Sequence, residues 1–321
     1  MLKVAILSGW HVHAEGYAHE FAALPDVRLT VLWDENPERG KAFAEKFNLP
    51  FEPDLDALLA SGDVDAVCVN APTNMHRGII VKAANAKKHI FTEKVLALTM
   101  AECAEIKTAV ETNGVKFCIS FPHRTAPHNL YAKKIVDENA LGEITFMRVR
   151  NAHNGATANW LPPHFYDPAA CGGGAMMDLG AHPMYLIRWL MGRPVEISST
   201  FTAYTNHAVE DNAVSVMKFK NGAIAVSETG FVSGDSPFAL ELYGTEGALI
   251  IGQSGIRLKT KDGWLVPDRL PDALPGAVNQ FVDGVLRGDK IHFGLDDAIA
   301  LTELMEKAYI SHREGRREIF A

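Results

Sequence analysis

Residues 3–34 read KVAILSGWHVHAEGYAHEFAALPDVRLTVLWD, and the order of patterns in this stretch decides the fold. Lys3 to Leu7 is a short apolar run that stops at Ser8-Gly9, and apolar residues then recur at intervals of four and three positions. Val27 to Trp33 is a second run rich in strand-forming residues, and it is closed by Asp34. Strand, turn, helix and strand in this order predict a βαβ unit.

The same alternation continues to about residue 122. Further strands are predicted at 66–70, 89–92 and 115–121, and helices are predicted from Pro37, over 75–87, and from a capping box at Thr99 and Glu102 to Gly114. Strands separated by helices predict a parallel sheet, because parallel neighbours need a long connection across the sheet face. Residues 1–122 therefore predict an α/β domain, a doubly wound Rossmann sheet that binds a dinucleotide.

The pattern changes after a helix predicted over 127–139. Asn221-Gly222 lies between two alternating runs and predicts a type I′ hairpin turn, because both central positions of that turn need a positive φ. Long alternating runs predict antiparallel strands at 144–152, 195–204, 212–220, 223–232, 238–243, 248–251 and 256–259. Helices are predicted at 175–191, ended by Gly192, and at 275–286 and 296–313. Residues 123–321 thus predict an α+β domain, an antiparallel sheet carrying helices.

The composition is that of a folded globular chain, with 47% hydrophobic and 22% charged residues. The formal net charge is −8, and no basic tract supplies the positive charge that nucleic acid or an anionic membrane attracts. The four cysteines are scattered and form no C-x-x-C pair, which favours a reducing compartment. Neither a signal peptide nor an 18-residue apolar run is found, so we expect a soluble cytoplasmic protein.

The turn Ser8-Gly9-Trp10-His11-Val12-His13 is the predicted pyrophosphate site, because N–H groups and the helix dipole attract anions there. It keeps only one glycine of the usual G-x-G-x-x-G. Asp34 follows Gly9 by 25 residues and is a candidate ligand of the adenosine ribose diol. With Glu35 beside it and no arginine immediately following, we expect NAD rather than NADP. The alternative for Asp34 is a turn or helix-capping aspartate.

Glu93-Lys94-Val95 follows the strand predicted at 89–92, at the sheet edge where open α/β folds bind ligands. The Lys94 ammonium is a candidate to hydrogen-bond a substrate hydroxyl and to stabilise a developing alkoxide. From the dipeptide alone, a surface pair of Glu93 and Lys94 is the simpler interpretation.

Three glycines, Gly172 to Gly174, lead to Asp178 and His182, which are four positions apart and share one face of the helix predicted at 175–191. An imidazole is a natural base for an alcohol proton, and a carboxylate nearby can fix its tautomer. The glycines allow a ligand or the backbone of the other domain to approach closely. A surface ion pair and a core histidine are the alternatives.

Metal binding is the weaker hypothesis. His11 and His13 offer two ligands, as do Asp178 and His182, but neither pair has a third ligand at a recognised interval. We therefore predict no metal site.

Taken together, these segments resemble the Gfo/Idh/MocA oxidoreductases, the family of glucose-fructose oxidoreductase and inositol dehydrogenase, over essentially the whole chain. The motifs that carry the resemblance occur in the family's order: Asp34-Glu-Asn-Pro-Glu-Arg39, Asn70-Ala-Pro-Thr-Asn-Met-His76, Thr92-Glu-Lys94, Phe121-Pro-His-Arg124, Leu141-Gly-Glu-Ile144, Gly172-Gly-Gly174 with Asp178 and His182, and the ending Asp296 to Arg317. Two segments depart from the family. The turn 8–13 replaces its glycine-rich turn, and Val95 replaces its usual proline, so a cis proline bond after Lys94 cannot be assumed.

The resemblance implies NAD(H) as cofactor, with Asp34 on the adenosine ribose. The other implied cofactor contacts are Ser8, Gly9, Trp10, His11, Val12, Ala71, Pro72, Thr73, Asn74, His76, Glu93 and Lys94. It also implies a catalytic group of Lys94, Asp178 and His182. His182 would remove the hydroxyl proton as hydride passes to nicotinamide, Lys94 would polarise the same oxygen, and Asp178 would orient substrate and imidazole.

The implied substrate is a sugar, a sugar derivative or a cyclitol with a reactive secondary hydroxyl. Besides Asp178 and His182, the candidates for contacts to it are Arg124, His153, Asn154, Trp160 and Tyr166. The implied assembly is a homodimer or homotetramer formed through the C-terminal sheet. Two alternatives stay open: an epimerase or lyase that uses tightly bound NAD without net redox change, and a dinucleotide-binding sensor that does no chemistry.

Overall fold

The computed structural model describes residues 1–235 and 237–320, which form two compact units. The first unit comprises residues 1–120 and 275–302, and the second comprises 121–274 and the residues from 303 onward. The division predicted from the sequence assigned 275–302 to the second domain, whereas the structure groups this segment with the first unit.

The strands in chain order are β1 (Leu2–Leu7), β2 (Val27–Trp33), β3 (Ala66–Val69), β4 (His89–Thr92), β5 (Phe117–Ile119), β6 (Ile144–Ala152), β7 (Glu196–Thr202), β8 (Asn212–Lys218), β9 (Ile224–Gly230), β10 (Phe238–Gly244), β11 (Ala248–Gly252), β12 (Gly255–Thr260), β13 (Gly263–Leu265) and β14 (Glu318–Ile319). The helices are α1 (Ala14–Ala22), α2 (Pro37–Lys46), α3 (Leu55–Ala60), α4 (Thr73–Asn85), α5 (Met100–Asn113), α6 (Pro127–Asp137), α7 (Pro168–Cys171), α8 (Ala181–Met191), α9 (Ala277–Leu286) and α10 (Leu295–Glu314).

The first unit is built on a five-stranded sheet with the order β2-β1-β3-β4-β5, in which every neighbouring pair is parallel. All four residues of β3 are buried, as expected for a strand inside a parallel sheet. The winding reverses between β1 and β3, since β2 lies on one side of β1 and β3 on the other. Open α/β sheets bind ligands outside the carboxyl ends of the strands at such a point. The predicted α/β class is confirmed.

Local sequence signals set the helix ends of this unit. Thr99 and Glu102 form the predicted capping box at the start of α5, and Gly114 ends α5 with a φ of +62°. The Asn36 side chain accepts hydrogen bonds of 3.0 and 3.1 Å from the N–H groups of Glu38 and Arg39. This cap fixes the first turn of α2, which carries Arg39.

The segment 275–302 joins the first unit through the apolar face of α9. The ring of Phe281 on α9 lies 5.9 Å from the ring of Phe91 on β4 and 6.2 Å from the ring of Phe21 on α1. Phe21 and Phe91 meet edge to face at 5.6 Å. An apolar helix face is visible in the sequence, but the sequence pattern does not say which sheet that face will cover.

The second unit contains a nine-stranded sheet with the order β13-β12-β11-β10-β6-β9-β8-β7-β14. Its neighbouring pairs are antiparallel, as predicted, with one exception: β6 and β9 run parallel from Phe146↔Ile224 to Ala152↔Gly230. The prediction of a wholly antiparallel sheet is therefore wrong at this pair. The connection from β6 to β9 includes α8 and the strands β7 and β8, and a connection of this length permits parallel pairing.

The hairpin between β8 and β9 is present, but its predicted turn type is wrong. Gly222 has a φ of +89°, whereas Asn221 is not among the residues with positive φ. The Asn221 side chain accepts a hydrogen bond of 3.1 Å from the N–H of Ala223, and Gly222 N–H donates to the carbonyl of Phe219. The Asn221 side chain thus supports the turn, and only glycine takes the left-handed conformation.

The helix predicted at 175–191 is regular only from Ala181, at the start of α8. In the preceding turn, the N–H of Asp178 donates to the carbonyl of Gly174, but the N–H of Gly180 donates to Ala175, five positions back. The N–H of His182 then donates to Leu179, only three positions back. Asp178 therefore lies in this irregular turn, outside the regular helix that carries His182.

The described residues can be compared with the expectations about membrane spans and cysteines. Within them, no helix combines the length and the apolar character needed to cross a membrane. All four cysteines are buried with free thiols.

Candidate active site

The turn at residues 8–13 crosses the carboxyl ends of β1, β2 and β3. Ser8 adopts a φ of +75°, and its N–H donates to the Trp33 carbonyl at the end of β2. The N–H of His11 donates to the Asn70 carbonyl just after β3, at 3.1 Å. The N–H of Trp10 donates to the Ser8 hydroxyl at 3.1 Å. The turn therefore lies at the point where the winding reverses, with α1 starting at its end.

Asp34 is fully engaged at the end of β2. Its carboxylate accepts from the N–H of Gly9 at 2.8 Å, the N–H of Asn36 at 2.7 Å, and Nε and an Nη of Arg39 at 3.0 and 2.6 Å. A carboxylate offers about four acceptor positions. These four bonds use them, so a ribose hydroxyl could bind Asp34 only by displacing one of the donors.

Arg39 covers the predicted ribose position, and the sequence analysis missed it. Its side chain is 31% exposed, whereas that of Asp34 is fully buried. The guanidinium also pairs with the Glu35 carboxylate. Burial lowers the pKa of Arg39, but its bonds to the two carboxylates outweigh burial and raise it. Arg39 is thus a partly exposed cation at this end of the site.

His76 connects two segments that were predicted to border the cofactor. Its Nε2 lies 2.9 Å from the Ala71 carbonyl, and its Nδ1 lies 2.9 Å from the Val95 carbonyl. Burial lowers the pKa of His76, against the opposing effect of these carbonyls. Because both ring nitrogens contact backbone, His76 positions Ala71 and Val95. The segment from Ala71 to Asn74 begins α4 beside the turn.

Glu93 and Lys94 are 1% and 5% exposed, so the alternative of a surface pair is wrong. The Glu93 carboxylate contacts His13 Nδ1 at 2.7 Å, accepts from the Lys94 N–H at 2.8 Å, and accepts from the Tyr17 hydroxyl. The Lys94–Val95 peptide bond is cis although no proline follows the lysine. Glu93 therefore anchors the backbone of Lys94.

The Glu93 carboxyl is held in its ionised form. Burial raises its pKa, but the neighbouring His11 and His13 outweigh burial, so its pKa lies well below the usual value. A depressed pKa stabilises the fold above the unfolded-state value of about 4.3. That stabilisation is lost as the pH falls through the lower folded-state pKa.

In the second unit, Glu210 holds the glycine segment that leads to Asp178. One Glu210 oxygen accepts from the N–H of Gly174 at 2.8 Å, the N–H of Met176 at 3.0 Å, and the hydroxyl of Tyr309 at 2.6 Å. The Glu210 carbonyl accepts from the N–H of Ala175 at 2.8 Å. Burial, with the Glu210 charge, raises the pKa of Tyr309 well above its usual value. The segment is fixed by bonds that its own sequence does not reveal.

The glycines of this segment are required by close approach. A Cβ on Gly173 would overlap the Tyr309 hydroxyl, and a Cβ on Gly174 would overlap the Glu210 carbonyl oxygen. Gly172 has a φ of +75°, a conformation that other residues rarely adopt. The close approach is made by Glu210 and Tyr309 of the same unit, and not by the ligand or the other domain's backbone that the sequence predicted.

His182 is buried in the first turn of α8, and Tyr185 fixes its ring. His182 Nδ1 lies 2.9 Å from the Tyr185 hydroxyl, which also accepts from the backbone N–H of His123 at 3.1 Å. The Tyr185 ring stacks on Phe121 with a centroid distance of 4.3 Å. The His123 ring lies 4.8 Å from that of His182. Tyr185 therefore places one ring nitrogen of His182 against a hydroxyl and directs the other nitrogen away from it.

Three of the predicted substrate contacts lie together. The His153 ring lies 4.5 Å from the Trp160 ring and stacks on Phe231 at 5.0 Å, and the Trp160 indole N–H donates to Asn154 at 3.1 Å. Trp160 is 54% exposed, so its ring offers a free face to a ligand. A sugar could stack there.

The other two predicted substrate contacts are engaged elsewhere in the second unit. The Tyr166 ring stacks on His207 at 3.6 Å. The Arg124 guanidinium lies 5.0 Å above the Trp189 ring and is 9% exposed. Arg124 nonetheless belongs to the short 3-10 turn Pro122–Arg124, which packs against α8.

The sequence analysis missed the residues that orient the predicted ones. Tyr185 follows His182 by three positions on one helix, a spacing that places side chains side by side, so this partner was detectable. Arg39 closes the quoted motif that begins at Asp34, but only the positions next to Asp34 were considered. Glu210 and Tyr309 carry no local signal, because their partners lie far away in the chain.

Both halves of the chain match known families. Residues 7–121 match a family described as oxidoreductases with an NAD-binding Rossmann fold. Residues 129–250 match the GFO/IDH/MocA C-terminal domain. The two matches follow one another along the chain, in agreement with the predicted resemblance.

Individual relatives are similar along most of the chain. It is 26% identical over 311 residues to inositol 2-dehydrogenase of Rhizobium meliloti (strain 1021), covering 91% of each protein. It is 26% identical over 292 residues to levoglucosan dehydrogenase of Pseudarthrobacter phenanthrenivorans, covering 78% of this chain and 73% of that protein. Among solved structures, GenD2 from gentamicin A biosynthesis in complex with NAD is 27% identical, with a TM-score of 0.85 over 100% of this chain and 96% of that one.

Proposed function

Because the chain belongs to the Gfo/Idh/MocA family of oxidoreductases, which have an NAD-binding Rossmann domain, we propose that it is an NAD-dependent dehydrogenase of a sugar, sugar derivative or cyclitol. The names of the relatives, inositol 2-dehydrogenase and levoglucosan dehydrogenase, support this substrate class. The observation that carries the proposal is buried His182, held at one ring nitrogen by Tyr185.

The position of the turn at 8–13 in the fold suits a dinucleotide, whereas the hydrogen bonds of the turn suit it less well. It lies at the carboxyl ends of the strands and at the start of α1, where anions bind. However, the N–H groups of Gly9, Trp10, His11 and His13 are bonded within the protein. A bound pyrophosphate would therefore rely on the backbone N–H of the exposed Val12 and on backbone N–H groups in the first turn of α1.

In the proposed reaction, a secondary alcohol loses a hydride and a proton and becomes a ketone. NAD, when bound, accepts the hydride at its nicotinamide ring. His182 takes the hydroxyl proton, Lys94 stabilises the developing negative charge on the oxygen, and Asp178 orients the substrate. These three roles stay proposals.

The Tyr185 hydroxyl allows the tautomer of His182 that suits a base. The Tyr185 oxygen has two lone pairs, one of which accepts from the His123 N–H. If the His182 Nδ1–H donates to the second, Nε2 keeps its lone pair and can act as the base. Tyr185 is then a positioning residue for the proposed reaction.

Replacing Tyr185 by phenylalanine is expected to lower kcat roughly 3- to 10-fold, the value of one neutral hydrogen bond of about 1 kcal/mol. KM should change little, and the acid limb of the kcat/KM pH profile should move. The ring that stacks on Phe121 is retained, so the thermal midpoint should stay close to that of the wild type. Tyr131→Phe on α6 is the matched control. An unchanged kcat and pH profile in Tyr185→Phe would remove the positioning role.

We expect NAD to bind at least about tenfold more tightly than NADP, measured by thermal stabilisation with each cofactor. At a hundredfold excess over Kd, the stabilisation should reach about 2.7 kcal/mol. The reason is electrostatic: Asp34 and Glu35 carry two negative charges at the ribose end, and Arg39 compensates one. Glu35→Gln should narrow the preference, whereas exposed Glu38→Gln should not. Equal or tighter binding of NADP would mean that Arg39 binds a 2′-phosphate instead.

The activity test is the appearance of NADH absorbance at 340 nm when the protein and NAD are incubated with a panel of polyols and sugars. NADH formation with one of them supports the dehydrogenase. Product formation without NADH would favour an epimerase or lyase that uses NAD transiently. Binding of NAD without any turnover across the panel would favour a sensor.

A further inference from the structure

Two histidines and a carboxylate converge beside the turn. His11 and His13 come from the turn itself, and Glu93 comes from the end of β4, 80 residues after His13. The His13 Nδ1 lies 2.7 Å and the His11 Nδ1 lies 3.8 Å from the same Glu93 oxygen, and all three ligand atoms lie within 4.8 Å of one another. The fold supplies the third ligand that the spacing of the sequence did not show.

The distances suit a small tetrahedral ion. Zinc bonds of about 2.0–2.2 Å to nitrogen and oxygen place neighbouring ligand atoms roughly 3.3 Å apart in a tetrahedron. The observed separations of 2.7 and 3.8 Å fall on either side of that value. A shift of about half an ångström in the half-exposed His13 ring would lengthen the shorter separation to this value, and the longer one, between His11 and Glu93, would have to close by a similar amount. Two imidazoles and one carboxylate are also a common zinc ligand set.

The ligands are held by a surrounding set of bonds. The Tyr17 hydroxyl and the Lys94 N–H donate to the Glu93 carboxylate, and the N–H of His11 donates to the Asn70 carbonyl. Because the N–H of His13 donates to His11 Nδ1 at 3.2 Å, that nitrogen is the unprotonated one, and on binding its lone pair would exchange this bond for a bond to the ion. Partners of this kind orient metal ligands and increase their affinity.

Access and charge also fit a cation. The His13 side chain is 47% exposed, which provides an entry path and leaves room for a water molecule as fourth ligand. Glu93 and His11 are buried, so the carboxylate would attract a cation in a low-dielectric part of the unit, where such attraction is stronger than in water. On binding, His13 Nδ1 would exchange its bond to Glu93 for a bond to the ion and release any proton it carries.

We propose that His11, His13 and Glu93 bind one divalent first-row transition ion, with zinc as the favoured occupant and water as the fourth ligand. The ion would tie the turn between β1 and α1 to the end of β4, one residue before Lys94. Its role is to fix this turn, which lacks the glycines of the usual phosphate loop. The proposal does not depend on the proposed activity.

The test titrates chelator-treated full-length protein with Zn²⁺ against a competing indicator, and repeats the titration with Co²⁺ while recording the visible spectrum. We expect one ion per chain with a Kd of a micromolar or below, a raised thermal midpoint, and the intense visible bands of tetrahedral cobalt. His13→Ala is the main variant, because its half-exposed side chain can be removed without opening the core. It should weaken Zn²⁺ binding at least about tenfold.

His19→Ala is the matched control, since His19 is an exposed histidine on α1 in the same unit. It should bind Zn²⁺ as the wild type does. Glu93→Gln should also bind Zn²⁺ more weakly than the wild type when the two proteins are compared at the same folded fraction. Binding weaker than about 100 μM, equal affinity in His13→Ala and the wild type, or an octahedral cobalt spectrum would each overturn the proposal.

Discussion

Replacing His182 by alanine is expected to lower kcat about 10²- to 10⁴-fold, the usual contribution of a general acid–base residue. The imidazole is the proposed acceptor of the substrate proton, and its ring is held by Tyr185 at 2.9 Å. Steady-state kinetics with the substrate found in the polyol panel would measure the loss. The loss should fall on kcat more than on KM, because proton transfer belongs to the chemical step.

A second variant separates the chemical role of His182 from its packing. In His182→Asn, the side-chain amide can still reach the Tyr185 hydroxyl but cannot act as a base near neutral pH. We expect nearly the same loss of kcat as in the alanine variant, with a thermal midpoint close to that of the wild type. If either variant, folded, retained wild-type turnover, His182 would not be the base.

Replacing Gly174 by alanine is expected to lower the free energy of unfolding by roughly 3 kcal/mol, at the upper end of the cost of overpacking a core. The added methyl group would overlap the backbone carbonyl oxygen of Glu210 and would lie 2.7 Å from a methyl group of Val209. Backbone cannot turn aside as a flexible side chain can. Equilibrium denaturation in urea would measure the change as a shift of the midpoint.

The matched control is the same substitution at Gly78, an exposed position inside α4 where a Cβ would meet nothing within 4 Å. Alanine favours the helix there, so Gly78→Ala should raise the free energy of unfolding by about 0.5–1 kcal/mol. Effects of the same sign in both variants would show that the close approach at Gly174 does not decide its stability.

The sequence predicted the elements that depend on local signals. The strand, turn and helix of residues 3–34, the capping box at Thr99 and the C-terminal Gly114 all appear as predicted. These signals act within a few residues of each other, so the periodicity of burial and the capping pattern determine them without knowledge of the fold. The family followed from the order of motifs, which is also a property of the sequence.

The structure brings some of the predicted site residues together. Lys94 and His182 are buried, and the loop residues His153, Asn154 and Trp160 lie together. Asp178 lies in the irregular turn before α8 rather than inside the helix predicted at 175–191. Glu210, which is far from this turn in sequence, accepts hydrogen bonds from the segment that leads to it.

Only the tertiary structure decided which distant residues meet. It placed Arg39 on Asp34, brought Glu93 to His11 and His13, assigned α9 to the first unit and made β6 and β9 parallel. The physical reason is the short range of the sequence signals along the chain. Helical and strand patterns report which face of a short segment is buried, whereas the partner of that face is chosen by the order of the strands and by packing. A carboxylate such as Glu93 therefore shows its role only when the sheet has brought the turn beside it.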